Sequence, residues 1–264
     1  MSQTFSKDGT PIAFERSGQG PTLVLVNGAL SKKTDAAPAA IALSPYFTVF
    51  IYDRRGRGES GDTAPYAVER EIEDLQAVIN EAGGKACVYG HSSGAVLALL
   101  SARQLPNAIQ KLAVYEPPIL VDDSRLPFAE DFLPRLKELV MAGKRGEAVA
   151  HYMRHGLLVS EKDLAAMQSA PIWPAFEAEA RTLVYDSMIV EDVMTGQPLS
   201  KAKWGAISVP TLVMDGGNSP GFMHSGAEAL TALLPHAQHH RFEGYDHHVA
   251  NEVLVPTLVE FFKS

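Results

Sequence analysis

Gly90-His91-Ser92-Ser93-Gly94 sets a serine between two glycines in the pattern G-x-S-x-G, a spacing that suits nucleophilic catalysis when a strand precedes it and a helix follows. A serine hydroxyl attacks poorly until a neighbouring base takes its proton, and a third group must hold that base in one tautomer. At so tight a strand-to-helix turn the serine takes a strained conformation that pushes Oγ outward, and Gly90 and Gly94 flank it because larger side chains would collide. A helix beginning at Ser93 aims its free N–H groups and positive dipole end at the same spot, where charge would develop on an oxygen. Taken alone, the pentapeptide also fits a plain glycine-rich turn capped by serine. Of the nine histidines, His247 and His248 lie just after the last predicted strand and before the last predicted helix. His151, His155, His224, His236, His239 and His240 read as surface or locally satisfied residues.

The elements around the serine supply the required context. An opening hairpin is predicted from Thr4–Ser6, an Asp8-Gly9 turn and Pro11–Arg16, since both turn residues accept positive φ. Four continuous apolar runs follow, at Leu23–Val26, Thr48–Tyr52, Ala86–Tyr89 and Leu112–Tyr115. Runs of this kind read as strands buried on both faces. Between them, Glu69–Glu81 and Ser93–Leu105 carry helical spacing, so the sheet is expected to be mostly parallel and covered on both sides. From Pro117 to about Ala206 the strand-like runs stop, and spacings such as Phe132, Leu136, Leu139, Val140 and Phe176, Ala180, Leu183, Val184 predict a helical insert. Strands resume at Val209–Met214 and Gln238–Phe242, with helices at Ala227–Leu234 and Val249–Phe262.

Composition narrows the function classes. The 264 residues are 46% hydrophobic, 8% aromatic and 20% charged, which is ordinary for one large globular domain or a domain with an insert. With 23 Lys plus Arg against 31 Asp plus Glu, the formal charge is -8, which repels phosphate backbones and anionic lipid surfaces. Neither nucleic acid nor a membrane is an expected partner. The lone cysteine, Cys87, forms no internal disulfide, and the polar start has no apolar stretch of signal-peptide length, so a cytoplasmic location is expected. Cys87 itself reads as a small core residue. Adjacent histidines at 239–240 and 247–248 lack ligand spacing, so no metal is expected. Gly56, Gly58 and Gly61 are ordered wrongly for a dinucleotide fingerprint.

The elbow, Val26-Asn27-Gly28-Ala29 and Asp53-Arg54-Arg55-Gly56-Arg57-Gly58-Glu59-Ser60 resemble the α/β-hydrolase superfamily over nearly the whole chain. The resemblance implies an α/β fold with a mostly parallel central sheet, helices on both faces and a helical cap insert, divided as core 1–116 and 207–264 with cap 117–206. It implies Ser92 as nucleophile and His247 as base, with His248 exchanged for it by a one-residue change in loop length. The backbone N–H groups of Ala29 and Ser93 would form the oxyanion hole, and Asn27 replaces the usual histidine of that loop. Asp53–Ser60 is similar to the family's D-x-R-G-x-G-x-S loop, which is architectural there. Its three arginines also suit an anionic substrate group, because guanidinium pairs carboxylates bidentately.

The acid departs from the commonest family pattern, whose aspartate position falls on Ser219. Glu116, in Val114-Tyr115-Glu116-Pro117-Pro118 at the end of an earlier strand, is the expected substitute, and Asp215 is the alternative acid. The combination Gly90-His91-Ser92-Ser93-Gly94-Ala95 with Tyr115-Glu116-Pro117-Pro118 resembles the zearalenone lactonases, which pair a G-x-S-S-G-A elbow with a H-E-P-P segment. Trp173, in Pro171-Ile172-Trp173-Pro174, either lines the substrate pocket or anchors the insert. The resemblance implies a serine hydrolase of a carboxylic ester or lactone, acting through an acyl-enzyme with a Ser-His-Glu triad and no cofactor. An acyltransferase, a perhydrolase, a C–C hydrolase and a non-catalytic small-molecule receptor are the competing readings, since fold alone is not function. The expected partner is a small-molecule ester or lactone, and a homodimer stays open.

Overall fold

The computed structural model describes residues 2–264. Eight strands build one sheet: β1 (Ser2–Phe5), β2 (Pro11–Ser17), β3 (Thr22–Val26), β4 (Thr48–Tyr52), β5 (Ala86–His91), β6 (Ile109–Tyr115), β7 (Thr211–Gly216) and β8 (Ala237–Phe242). Their spatial order is β1-β2-β4-β3-β5-β6-β7-β8. β1 pairs antiparallel with β2 and β2 antiparallel with β4, while every other pairing is parallel. The opening hairpin forms as expected, with Gly9 at φ 82 in its turn.

The continuous apolar runs have a direct cause, because successive side chains leave a strand on opposite faces and both faces are covered. Leu23, Leu25, Val49, Ile51, Tyr89 and Met214 enter one core, and Val24, Val26, Phe50, Val88, Val114 and Val213 enter the other. The first core is closed by α1 (Ala37–Leu43) and by the C-terminal helix, and the second by α2 (Val68–Glu81), α3 (Ser93–Gln104) and a helix after β7. On α2 the stripe Ile72, Leu75, Val78 and Ile79 is buried as its spacing predicts. α1 has no predicted counterpart: its seven residues, four of them alanine, carry no apolar period.

Between β6 and β7 the chain forms α4 (Phe132–Met141), α5 (Arg145–His151), α6 (Glu161–Gln168), α7 (Trp173–Glu179), α8 (Leu183–Val190) and α9 (Lys201–Trp204). The spacing read across Phe176–Val184 spans two helices. α7 stops at Glu179, where Thr182 Oγ1 donates to the Glu179 carbonyl, a local bond that competes with helix continuation. Phe132, Leu136, Leu139, Val149, Trp173, Leu183 and Val184 form a third apolar cluster within this segment. α10 (Gly221–Leu233) and α11 (Asn251–Lys263) complete the chain. Because β3, β5, β6, β7 and β8 run parallel, their carboxyl ends bring residues 27–30, 92, 116, 217–219 and 243–248 to one edge, the edge where open α/β sheets bind ligands.

Candidate active site

The elbow is built as its glycines require. Ser92 stands between β5 and α3 at φ 56, ψ -128, a left-handed-side conformation that costs a non-glycine residue on the order of 1–3 kcal/mol. A Cβ on Gly90 would lie 2.7 Å from the Ala95 Cα, and one on Gly94 would strike the carbonyls of Val26 and Asn27. Only hydrogen fits at Gly28 too, where a Cβ would stand 2.9 Å from Ser92 Cβ and 3.5 Å from its Oγ. The loop after β3 is therefore pressed against the serine. Among the described residues, neither the Ala29 nor the Ser93 amide donates a hydrogen bond to another residue. Both amides are thus available to an incoming oxygen. Three of the four non-glycine residues with positive φ, Leu30, Ser92 and Glu116, belong to this one region.

His247 and Glu116 meet across the loop ends. His247 Nδ1 lies 2.5 Å from Glu116 Oε2, while Glu116 Oε1 accepts from the Gly216 amide at 2.9 Å and from the Ser219 hydroxyl. Burial opposes ionisation of Glu116, but the bonds from His247, Ser219 and Gly216 outweigh it and hold the carboxyl below its usual range. Ser219, the position where the family's usual aspartate falls, thus serves here as a donor to the carboxylate. His248 is exposed, and its ring stands beside His247 at 5.7 Å rather than against Glu116.

Asp215 is buried but engaged elsewhere. It accepts from Arg241 at 2.9 Å and meets His224 Nδ1 at 2.5 Å and His239 Nε2 at 2.6 Å. The structure brings neither His247 nor His248 to it.

Two further residues hold the base loop, and the sequence offers no pattern that marks them. His91 Nε2 lies 3.0 Å from the His247 carbonyl, with the two rings 4.6 Å apart. Burial first, and then the neighbouring His247 and His248, push His91 down to about 3. It stays neutral at working pH and donates from Nε2. Since its unfolded value is near 6.5, this depressed group contributes stability above that pH that is lost as pH falls toward 3. Tyr115 donates its hydroxyl to the Asp246 carbonyl from the end of β6.

The arginines of the Asp53–Ser60 loop serve architecture. Arg54, Arg55 and Arg57 are each no more than 1% exposed. Arg54 forks onto Glu71 at 2.7 and 2.8 Å, and Arg55 onto Asp74 at 2.6 and 2.7 Å. Arg57 reaches Asp186 at 2.5 Å. All three positive charges are matched inside the chain, so the anionic-substrate alternative has no free guanidinium here.

Trp173 is 7% exposed, its Nε1 donates to Glu177 at 2.8 Å, and its ring meets Phe176 edge-on. Its neighbours belong to the insert's own apolar cluster. Trp173→Ala is accordingly expected to cost about 3 kcal/mol or more of stability, read from the urea midpoint, with a smaller relative change in KM.

A sequence profile described as the alpha/beta hydrolase family matches residues 23–254. The chain belongs to the α/β-hydrolase family. An alpha/beta hydrolase from Sphaerobacter thermophilus DSM 20745 is 52% identical to this family member, covering 99% of this chain and 100% of that one with a TM-score of 0.92. The uncharacterized hydrolase YraK of Bacillus subtilis is 30% identical over 141 residues, 51% of this chain and 52% of YraK. A 26% match over 261 residues to the polyketide synthase ThaQ of Burkholderia thailandensis covers 93% of this chain and 12% of that protein. This chain therefore spans about half of one curated relative and a small part of the other. The mostly parallel eight-stranded sheet is the family's fold, and no helix among the described residues is long and apolar enough to cross a membrane.

Proposed function

We propose that this α/β hydrolase cleaves a small, uncharged carboxylic ester or lactone through an acyl-enzyme intermediate. Ser92 Oγ attacks the carbonyl carbon as His247 Nε2 takes its proton. Glu116 keeps the Nδ1 proton of His247 in place and balances the imidazolium that forms. The amides of Ala29 and Ser93 receive the oxyanion. His247 then gives its proton to the leaving alkoxide, and water activated by the same imidazole hydrolyses the acyl-enzyme. In a lactone the leaving oxygen stays tethered to the acyl group throughout, and the second step releases a single hydroxy acid. Residues 117–206 act as the cap over this centre.

The observation that carries the reading is the 2.5 Å contact between His247 Nδ1 and the buried Glu116 carboxylate, together with the positive φ of Ser92 at the strand-to-helix turn. The preference for an uncharged substrate is supported by the internal pairing of Arg54, Arg55 and Arg57. It is supported also by the packing of Ala29 and Leu30 against the insert's cluster. The resemblance of the elbow and the Glu116-Pro117-Pro118 segment to zearalenone lactonases favours lactones among the esters.

The test combines a fluorophosphonate probe with a panel of short and long p-nitrophenyl esters and aliphatic and aromatic lactones. The probe is expected to label Ser92, located by peptide mass spectrometry, and at least one substrate is expected to turn over with water as sole acceptor. Labelling at another residue, or tight ligand binding without labelling, overturns the reading.

A further inference from the structure

One fully buried carboxylate is joined by hydrogen bonds to both segments that carry the amides assigned to the oxyanion, directly to Ser93 and through Arg57 to Gly28, and nothing in the proposed chemistry uses it. Asp186, on α8 of the insert, has no exposed surface. Its Oδ1 accepts from Ser93 Oγ at 2.7 Å and from Arg54 Nη1 at 2.8 Å, and its Oδ2 accepts from Arg57 Nη2 at 2.5 Å. Arg57 Nη1 in turn donates to the Gly28 carbonyl at 2.6 Å, and Arg54 Nη1 donates to the Asn27 carbonyl at 3.2 Å. The Gly28 carbonyl and the Ala29 N–H belong to one planar trans peptide, so a cation fixed on the carbonyl sets where that N–H points and polarises it.

We infer that Asp186 is a positioning residue of the oxyanion hole: through Arg57 it aims the Gly28–Ala29 peptide, and through the Ser93 hydroxyl it fixes the residue carrying the second amide. The inference rests on the proposed roles of Ser92, Ala29 and Ser93. Its distinct content is that a carboxylate on the insert, 93 residues beyond Ser93, organises groups on the sheet.

The arrangement is selective in two ways. Arg57 is buried, its Nε without a partner, and its two terminal nitrogens bond to Asp186 and to Gly28 rather than to solvent. Arg55, two positions earlier, pairs with Asp8 and Asp74 and has no bond to residues 27–29, which makes its partner an internal comparison. Asp186 is also held ionised: burial opposes its charge, but Arg57 and Arg54 outweigh that and keep the carboxyl below its usual range.

The experiment compares Asp186→Asn, Ser93→Ala and their combination with Asp74→Asn. The readouts are kcat, KM, the rate of fluorophosphonate labelling, and inhibition by phenylboronic acid, which mimics the tetrahedral adduct on Ser92. Removing one oxyanion donor outright costs about 100- to 1000-fold in kcat, so misaiming donors is expected to cost roughly 10- to 100-fold in Asp186→Asn and somewhat less in Ser93→Ala. KM should change less than about threefold, and the boronate inhibition constant should rise in step with the loss in kcat/KM. The double variant should lose no more than Asp186→Asn, because both changes cut the same connection. Asp74→Asn should lower the melting temperature alone.

If Asp186→Asn fails to fold, Ser93→Ala, which deletes a single hydroxyl, decides the matter by itself. The inference is overturned if Ser93→Ala keeps kcat, labelling rate and boronate inhibition within about twofold of the parent, or if a folded Asp186→Asn does. It is likewise overturned if Asp74→Asn lowers kcat as far as Asp186→Asn. Turnover or labelling that survives in Ser92→Ala removes the underlying reading instead, and that outcome is recognisable without any of the Asp186 variants.

Discussion

Ser92→Ala is expected to lower kcat for ester hydrolysis by roughly four to six orders of magnitude, leaving only the residual catalysis of binding and the oxyanion hole. The change deletes one oxygen from a position whose surroundings are set by backbone. Ser92 N–H is bonded to the Tyr115 carbonyl at 3.0 Å, and its carbonyl accepts from Ala95 at 2.9 Å. The fold should therefore be kept, and alanine at φ 56 bears the same kind of strain the serine already bears. Steady-state turnover with a p-nitrophenyl ester, urea denaturation of both proteins and fluorophosphonate labelling check the three parts. A variant that keeps more than about a tenth of the parent's kcat places the nucleophile elsewhere.

Glu116→Gln is expected to lower kcat by roughly a thousandfold or more, against less than about threefold for Asp215→Asn. The Gly216 amide and the Ser219 hydroxyl both donate to Oε1, so a glutamine there places its carbonyl oxygen toward them. Its amide nitrogen then faces His247 Nδ1, which must accept rather than donate. The ring proton moves to Nε2, and the imidazole loses the lone pair that takes the serine proton. Asp215→Asn leaves that geometry untouched, since its carboxylate serves Arg241, His224 and His239. Its cost should appear as stability, through a buried partner lost to Arg241.

The pH dependence follows from the same site. Glu116 has a folded value below its ordinary 4.5, so its stabilising contribution is complete above about 4.5 and is lost as pH falls through the lower folded value. A decline in kcat/KM already under way above pH 5 is then not protonation of Glu116. A larger loss from Asp215→Asn than from Glu116→Gln reverses the assignment of the acid.

Much of this site is legible from sequence because local spacing encodes it. The strand segments at 23–26, 48–52, 86–89 and 112–115 declare themselves as uninterrupted apolar runs, since each feeds two cores, and the elbow is fixed by glycines whose missing side chains leave room for neighbouring backbone. Glu116 is readable only by comparison with relatives, because a glutamate before two prolines has no local signature of catalysis. The contacts of Ser219 and Asp186 are less legible still. Ser219 and Glu116 are 103 residues apart, and Asp186 and Arg57 are 129 apart, so no periodicity or motif joins them until the sheet order is known. The arginine loop shows the complementary case: its residue types permit either an anion site or a buried brace, and the carboxylates on α2 and α8 that settle it lie outside the motif.

The single cysteine has a practical consequence for observing the insert in motion. Cys87 is 6% exposed in β5, and burial pushes its thiol up to about 11, so at neutral pH it stays protonated and sheltered from maleimides and mild oxidants. A fluorophore attached to one cysteine engineered on the surface of α6 or α7 would therefore report without background from the native chain. Such a label would convert any hinging of residues 117–206 during turnover into an optical signal, with no sulfur first to be removed from the sheet.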